Sequence, residues 1–146
     1  MIITEPHTPA EFSSYYRLRW EVLRKPWNQP RGSETDSAED QAIHAMAVSD
    51  GNEVLGVSRL QFNTADTAQI RYMAVHPEAQ GQGIGRELLV YLEKKAAGQG
   101  ATRIILDARE NALEFYKKNG YQLLEKGHLL YGEIQHYKME KHLLKT

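Results

Sequence analysis

Val75-His76-Pro77-Glu78-Ala79-Gln80-Gly81-Gln82-Gly83-Ile84-Gly85-Arg86 is the densest signal in the chain. A strand ends, a glycine-rich turn follows, and an amphipathic helix begins. The helix is expected from about Gly83 to Ala97, with Ile84, Leu88, Leu92 and Ala96 on one face and Gly98 beyond its end. Helix N-termini leave unpaired N–H groups at the positive end of the dipole. Anions bind there, and glycine lets them approach the backbone with no Cβ in the way. An ordinary tight turn would also use glycine, but three alternating glycines exceed what a turn needs. Two familiar phosphate loops do not fit. A Walker loop ends in Gly-Lys-Ser/Thr, whereas Gly85 is followed by Arg86-Glu87. A dinucleotide fingerprint is spaced Gly-x-Gly-x-x-Gly in a parallel unit, unlike Gly81-x-Gly83-x-Gly85.

Upstream of the loop, Met1 to Thr4 reads as a short strand. Thr8-Pro9-Ala10-Glu11 supplies a cap, a proline at the first helical position and a capping box. Phe12, Tyr16, Trp20 and Leu23 follow at helical spacing as one apolar face, and Pro26 stops the helix. Trp27 to Asp40 reads as a loop, broken by Pro30 and Gly32, with room for a short helix near Ala38. Ile43 to Ser49, Glu53 to Phe62 and Thr67 to Val75 form a meander, turned first by Asp50-Gly51-Asn52 and then by Asn63 to Asp66. Downstream, Thr102 to Leu106 is a strand. Asn111 to Asn119 is a helix capped by Asn111 and stopped by Gly120. Tyr121 to Glu125 and Ile134 to His142 close the order. The result is a mixed sheet with helices on its faces, an α/β or α+β fold.

Gln80-Gly81-Gln82-Gly83-Ile84-Gly85 resembles, position by position, the Gln/Arg-x-x-Gly-x-Gly/Ala signature of the GNAT acetyltransferase superfamily. Ile70 to Pro77 is similar to that family's fourth strand. Asn111-Ala112-Leu113-Glu114-Phe115-Tyr116 through Gly120-Tyr121 is similar to its later Asn…Phe-Tyr…Gly-Phe/Tyr segment. The resemblance spans roughly 67–124, and two motifs in the right order are far more specific than one glycine loop. It implies a mostly antiparallel mixed sheet of six or seven strands with about four helices. It also implies direct transfer of an acetyl group from acetyl-CoA to a primary amine, small-molecule or peptide, without a covalent acyl-enzyme. A non-catalytic acyl-CoA-binding sensor with the same fold is the alternative.

The resemblance also assigns residues. Gln80, Gly81, Gln82, Gly83, Ile84, Gly85 and Arg86 would hold the pyrophosphate of coenzyme A, although Arg86 reads equally as a solvated helix residue. The backbone of Met73, Ala74 and Val75 would pair with pantetheine while their side chains pack. Asn111 would bond the pantetheine amide or simply cap its helix, with Phe115 and Tyr116 beside the cofactor. Tyr116 would be the general acid, because a phenol near pKa 10 can share a proton with a thiolate near 8.5; otherwise it is a core tyrosine. Several family members carry a glutamate early on the fourth strand, but Thr67-Ala68-Gln69-Ile70-Arg71 has no carboxylate. His136, mid-strand near the acceptor side, is the candidate base, weighed against a purely structural histidine. Arg31, Ser33 and Glu34 in the 27–40 loop would border the acceptor, unless that charged stretch is only a solvated surface.

The bulk composition agrees with this class. The chain has 146 residues, expected to form one domain over 1–146, with 41% hydrophobic and 25% charged residues. Its formal net charge of -1 argues against nucleic acid as a partner. There is no cysteine, hence no disulfide, thiolate metal site or cysteine nucleophile. His7, His44, His76, His128, His136 and His142 show no spacing that suggests a metal pair. The first residues do not read as a signal peptide, and no apolar run reaches membrane-spanning length. A cytoplasmic protein is expected, with no membrane partner; sheet-pairing dimers are common among proteins of the family it resembles, so a homodimer is open to it, although nothing in the sequence fixes the oligomer.

Overall fold

The structure is a computed structural model and describes residues 1–143. The elements follow in the order β1 (Ile2–Thr4), α1 (Pro9–Leu23), β2 (Ile43–Val48), β3 (Val54–Phe62), β4 (Thr67–Val75), α2 (Ile84–Gly98), β5 (Arg103–Arg109), α3 (Leu113–Lys118), β6 (Gln122–Leu130) and β7 (Ile134–His142). Among the described residues seven strands form one sheet, in the order β1-β2-β3-β4-β5-β7-β6. All neighbours are antiparallel except β4 and β5. Among the described residues there are three α-helices against the four or so expected; the remaining helical pieces are single 3₁₀ turns such as Glu39–Gln41 and Glu110–Ala112.

α1 begins as its sequence dictates. Thr8 accepts from the Glu11 amide at 3.1 Å, and Glu11 accepts from the Thr8 amide at 2.9 Å. Its buried stripe is Tyr15, Leu18, Arg19 and Leu23, rotated from the expected face centred on Phe12, Tyr16 and Trp20, which are only half-buried. The rotation follows from burial of an arginine. Arg19 and Arg59, both fully buried, each donate to Glu39 Oε2 at 2.8 Å, and Arg59 also grips both oxygens of Asp36. The charged 17–40 stretch is therefore solvated only in part: Arg19 and Glu34 are buried, whereas Arg17, Arg31 and Asp40 are exposed. α2 buries Ile84, Leu88, Leu92 and Ala96 as expected, on the opposite side of the sheet. α3 shares that side. It is not capped by Asn111, which falls within the 3₁₀ turn; Ala112 takes the cap position with no side-chain bond.

A bulge in β4 decides how the two sides are filled. Arg71 lies opposite Arg59 and Ala74 opposite Val57, so Tyr72 and Met73 together face Ser58. Tyr72 has φ +58°, unusual for a non-glycine residue. One extra residue reverses the alternation of side chains. Ala68 and Ile70 thus pack under α2, whereas Ala74 packs under α1 with Tyr15 and Leu18. The Tyr72 hydroxyl donates to Asp36 Oδ2 at 3.2 Å, and the Arg19 guanidinium covers its ring at 4.3 Å. Nearby guanidinium groups hold the Asp36 carboxyl well below the usual range, led by its hydrogen bond from Arg59.

Glu39→Ala leaves two buried guanidinium groups short of a counter-ion. Breaking such a pair from one side costs about 3–5 kcal/mol. Thermal denaturation should show a melting temperature lower by roughly 10 °C, whereas Arg17→Ala, whose partner Glu21 is exposed, should leave it within about 1–2 °C.

Candidate functional site

The parallel pairing of β4 with β5 runs from Thr67 opposite Arg103 to Ile70 opposite Leu106. The bulge follows at once, and bulges bend the strand that carries them. A cavity of about 670 Å³ lies in this region, in the range of roughly 300–1,000 Å³ usual for ligand sites. Its walls are the later half of β4, the glycine loop, the first residues of α2, the end of β5, α3, the β6–β7 hairpin and the last turn of α1.

The glycine loop forms one end. Gly81 and Gly83 have φ of +82° and +79°, and a Cβ built on either meets nothing within 4 Å. Gly83 caps α2 with no side-chain hydrogen bond, and the first helical bond there is from the Glu87 amide to the Gly83 carbonyl at 3.1 Å. The preceding amides thus have no partner within the helix. Gly85 has a different role: a Cβ there would lie 2.8 Å from the Phe115 ring, so this glycine lets α2 pack on α3. Gln80, Gly81, Gly83, Ile84 and Gly85 line the cavity. Gln82 and Arg86 are exposed and do not. An open backbone cradle at an uncapped helix start fits a pyrophosphate.

Met73, Ala74, Val75, Asn111, Phe115 and Tyr116 line the middle. The Tyr116 ring is buried, edge-on to Phe115 and Tyr121 at 5.0 and 5.8 Å. Among the described residues its hydroxyl has no hydrogen-bond partner. Burial pushes the phenol well above its ordinary pKa, with Arg109 opposing weakly, so it is a neutral O–H throughout the physiological range.

His136 lines the far side. It lies opposite Arg109 across the β5–β7 ladder, and only 7% of it is exposed. Its Nδ1 lies 3.0 Å from the Ile134 carbonyl. A carbonyl can only accept, so Nδ1 carries the proton and Nε2 is left basic. Burial lowers the imidazole pKa first, and the stacked His128 ring, 4.2 Å away, lowers it further. His128 is a site residue to which sequence reasoning assigned no role.

Arg31, Ser33 and Glu34 are not brought to the cavity. Arg31 lies over the Trp20 ring at 5.3 Å. Glu34 is turned inward, accepting from the Gly32 amide at 2.7 Å. Ser33 donates its hydroxyl to the Pro30 carbonyl, while its own carbonyl accepts from Arg24 Nε at 3.0 Å. The loop bonds back onto itself and onto α1, and it is Arg24, in place of the loop's own side chains, that reaches the cavity.

A family model, the acetyltransferase (GNAT) family, matches residues 12–121. An uncharacterized N-acetyltransferase of Bacillus subtilis (strain 168), YjcF, is 32% identical over 126 residues, covering 86% of this chain and 89% of that protein. Among solved structures, a putative N-acetyltransferase from Lactobacillus plantarum superposes with TM-score 0.85 at 24% identity, over 98% of both chains. An aminoglycoside 6'-N-acetyltransferase complexed with coenzyme A does so with TM-score 0.82 at 20% identity, over 100% of this chain and 99% of that one. The structural likenesses show the fold, a mixed sheet whose one parallel pair, β4 and β5, stays joined only over its first residues. The family match and the Bacillus relative go further: the chain belongs to the acetyltransferase (GNAT) family. Membership makes it an acyltransferase that uses acetyl-CoA and acts on amine acceptors.

Proposed function

We propose that this protein transfers the acetyl group of acetyl-CoA directly to a primary amine, with Tyr116 as general acid and His136 as general base. The observation that carries the reading is the convergence of an unpartnered, neutral phenol and a basic imidazole nitrogen on one cavity that begins at an anion cradle. Acetyl-CoA supplies the thioester. The amides from Gly83 to Arg86 would hold its pyrophosphate, and the edge of β4 from Met73 to Val75 would align its pantetheine arm. His136 Nε2 takes the proton of the attacking ammonium, and the amine nitrogen forms the new bond to the acetyl carbon. The Tyr116 hydroxyl gives its proton to the departing sulfur. Positioning and proton transfer are the chain's contribution.

Free-thiol release from acetyl-CoA over a panel of amines tests transfer, and it separates an enzyme from a sensor that binds without turning over. The pH profile tests the base. A lowered pKa keeps His136 neutral to more acid pH than a free imidazole, so turnover should persist below the pH at which a free imidazole protonates and fall only at more acid pH, as the ring takes up its proton. His136→Ala should remove that acid limb and leave acetyl-CoA affinity unchanged. An identical profile in the variant would show that the ring takes no proton.

A further inference from the structure

Arg24 and Arg109 set the chemistry of the acceptor end. Both line the cavity and both are half-buried. Arg24 Nη1 and Arg109 Nη2 donate to the same atom, the Leu23 carbonyl oxygen, at 3.1 and 3.3 Å. Two guanidinium groups thus converge on one neutral acceptor. The other half-buried or buried arginines are neutralised: Arg19 and Arg59 by Glu39 and Asp36, Arg103 by Glu140. Among the described residues neither Arg24 nor Arg109 has a carboxylate partner. Arg24 spends a further donor on the Ser33 carbonyl, and Arg109 is covered on one side by the Trp27 ring at 4.6 Å. A guanidinium carries five N–H donors, so most of Arg109's remain uncommitted. Its charge is disfavoured by burial and then by Arg24.

The phosphates of coenzyme A do not explain this pair. Their cradle is the Gly81–Gly85 end, whereas Arg109 ends β5 opposite His136, and Arg24 follows the last turn of α1. Asp107 adds the complementary charge. It lies two residues before Arg109 on β5 and lines the same cavity, with no basic partner among the described residues. Residues two apart share a strand face, roughly 6.6 Å apart.

We propose that the acceptor is a small primary amine bearing its own carboxylate or phosphate, with that anion held between Arg24 and Arg109 and the amine directed toward Asp107 and His136. The proposal rests on the transferase reading above. An anion satisfies two like charges that otherwise face each other, and planar guanidinium groups suit carboxylate and phosphate alike. An acceptor lacking the anion leaves those donors desolvated and unpaired, the situation in which discrimination is strongest. A polycationic acceptor such as an aminoglycoside meets repulsion instead.

The test is thiol release from acetyl-CoA with two matched pairs, β-alanine against β-alaninamide and phosphoethanolamine against ethanolamine, alongside one aminoglycoside. At least one anionic member should exceed its neutral partner in kcat/KM by about tenfold or more. Which pair shows it tells carboxylate from phosphate. Arg109→Gln and Arg24→Gln should each shrink that ratio toward one, and Arg109→Lys, which keeps the charge, should retain part of it. A loss of folding alone would lower both members of a pair and leave the ratio intact. Ratios near one in both pairs, ratios untouched by the glutamine variants, or a preference for the aminoglycoside would overturn this inference while leaving the transferase reading standing. No thiol release with any amine would overturn both.

Discussion

Tyr116→Phe should bind acetyl-CoA as tightly as the native protein and turn it over about 10²–10⁴-fold more slowly, the usual worth of a positioned general acid. The ring is packed against Phe115 and Tyr121, and phenylalanine fills the same space, so the fold should not register the change. Only the hydroxyl is lost, and it has no hydrogen-bond partner among the described residues. On the proposed mechanism the hydroxyl, at the cavity wall, gives its proton to the thiolate as it leaves, and the raised pKa keeps that proton in place beforehand. Calorimetry with acetyl-CoA and steady-state thiol release together read the result. Native turnover in the variant would make Tyr116 a packing residue only.

Gly83→Val should lower acetyl-CoA affinity by about 100-fold or more, which corresponds to roughly 2.7 kcal/mol, with the protein still folded. A β-branched residue at φ +79° is strained on the order of 1–2 kcal/mol. Relief of that strain must move the loop, and with it the amides that open α2. The valine side chain would also project into the open space where a phosphate has to approach, since no protein atom lies within 4 Å of a Cβ there. That same openness spares the core. Gly98→Ala, near the far end of α2 with equally open surroundings and no positive φ, is the control and should bind normally. Equal affinity in Gly83→Val would remove the loop from the cofactor site.

The glycine loop was legible because its chemistry is local: alternating glycines, a preceding break at His76-Pro77 and a helix with a clean apolar face. The bounds of β4 and β7 were legible for the same reason, each strand being closed by turn residues. The bulge was not. Its extra residue is a tyrosine, a poor advertisement for positive φ, held there by Asp36 and Arg19 from distant segments. The buried face of α1 was misjudged because periodicity weighs arginine as polar, whereas Arg19 is buried by partners twenty residues away. Asn111 has the composition of a cap, but a 3₁₀ turn shifts the start of α3 past it. Arg31, Ser33 and Glu34 lie in a segment whose place along the chain suggests the acceptor side, but the Ser33 and Glu34 side chains bond within it and Arg31 lies over Trp20 of α1. The convergence of Arg24 and Arg109 joins residues 85 positions apart, which no local pattern encodes.

A crystal structure with coenzyme A bound would give the distance from the cofactor sulfur to the Tyr116 hydroxyl. That distance should be about 3 Å, within hydrogen-bonding reach, with the pyrophosphate on the amides of 81–86 and the sulfur in the opening between β4 and β5. A sulfur on the order of 15 Å from that hydroxyl, against the ~3 Å reach of direct proton transfer, or a pyrophosphate bound away from the glycine loop, would contradict the proposed mechanism.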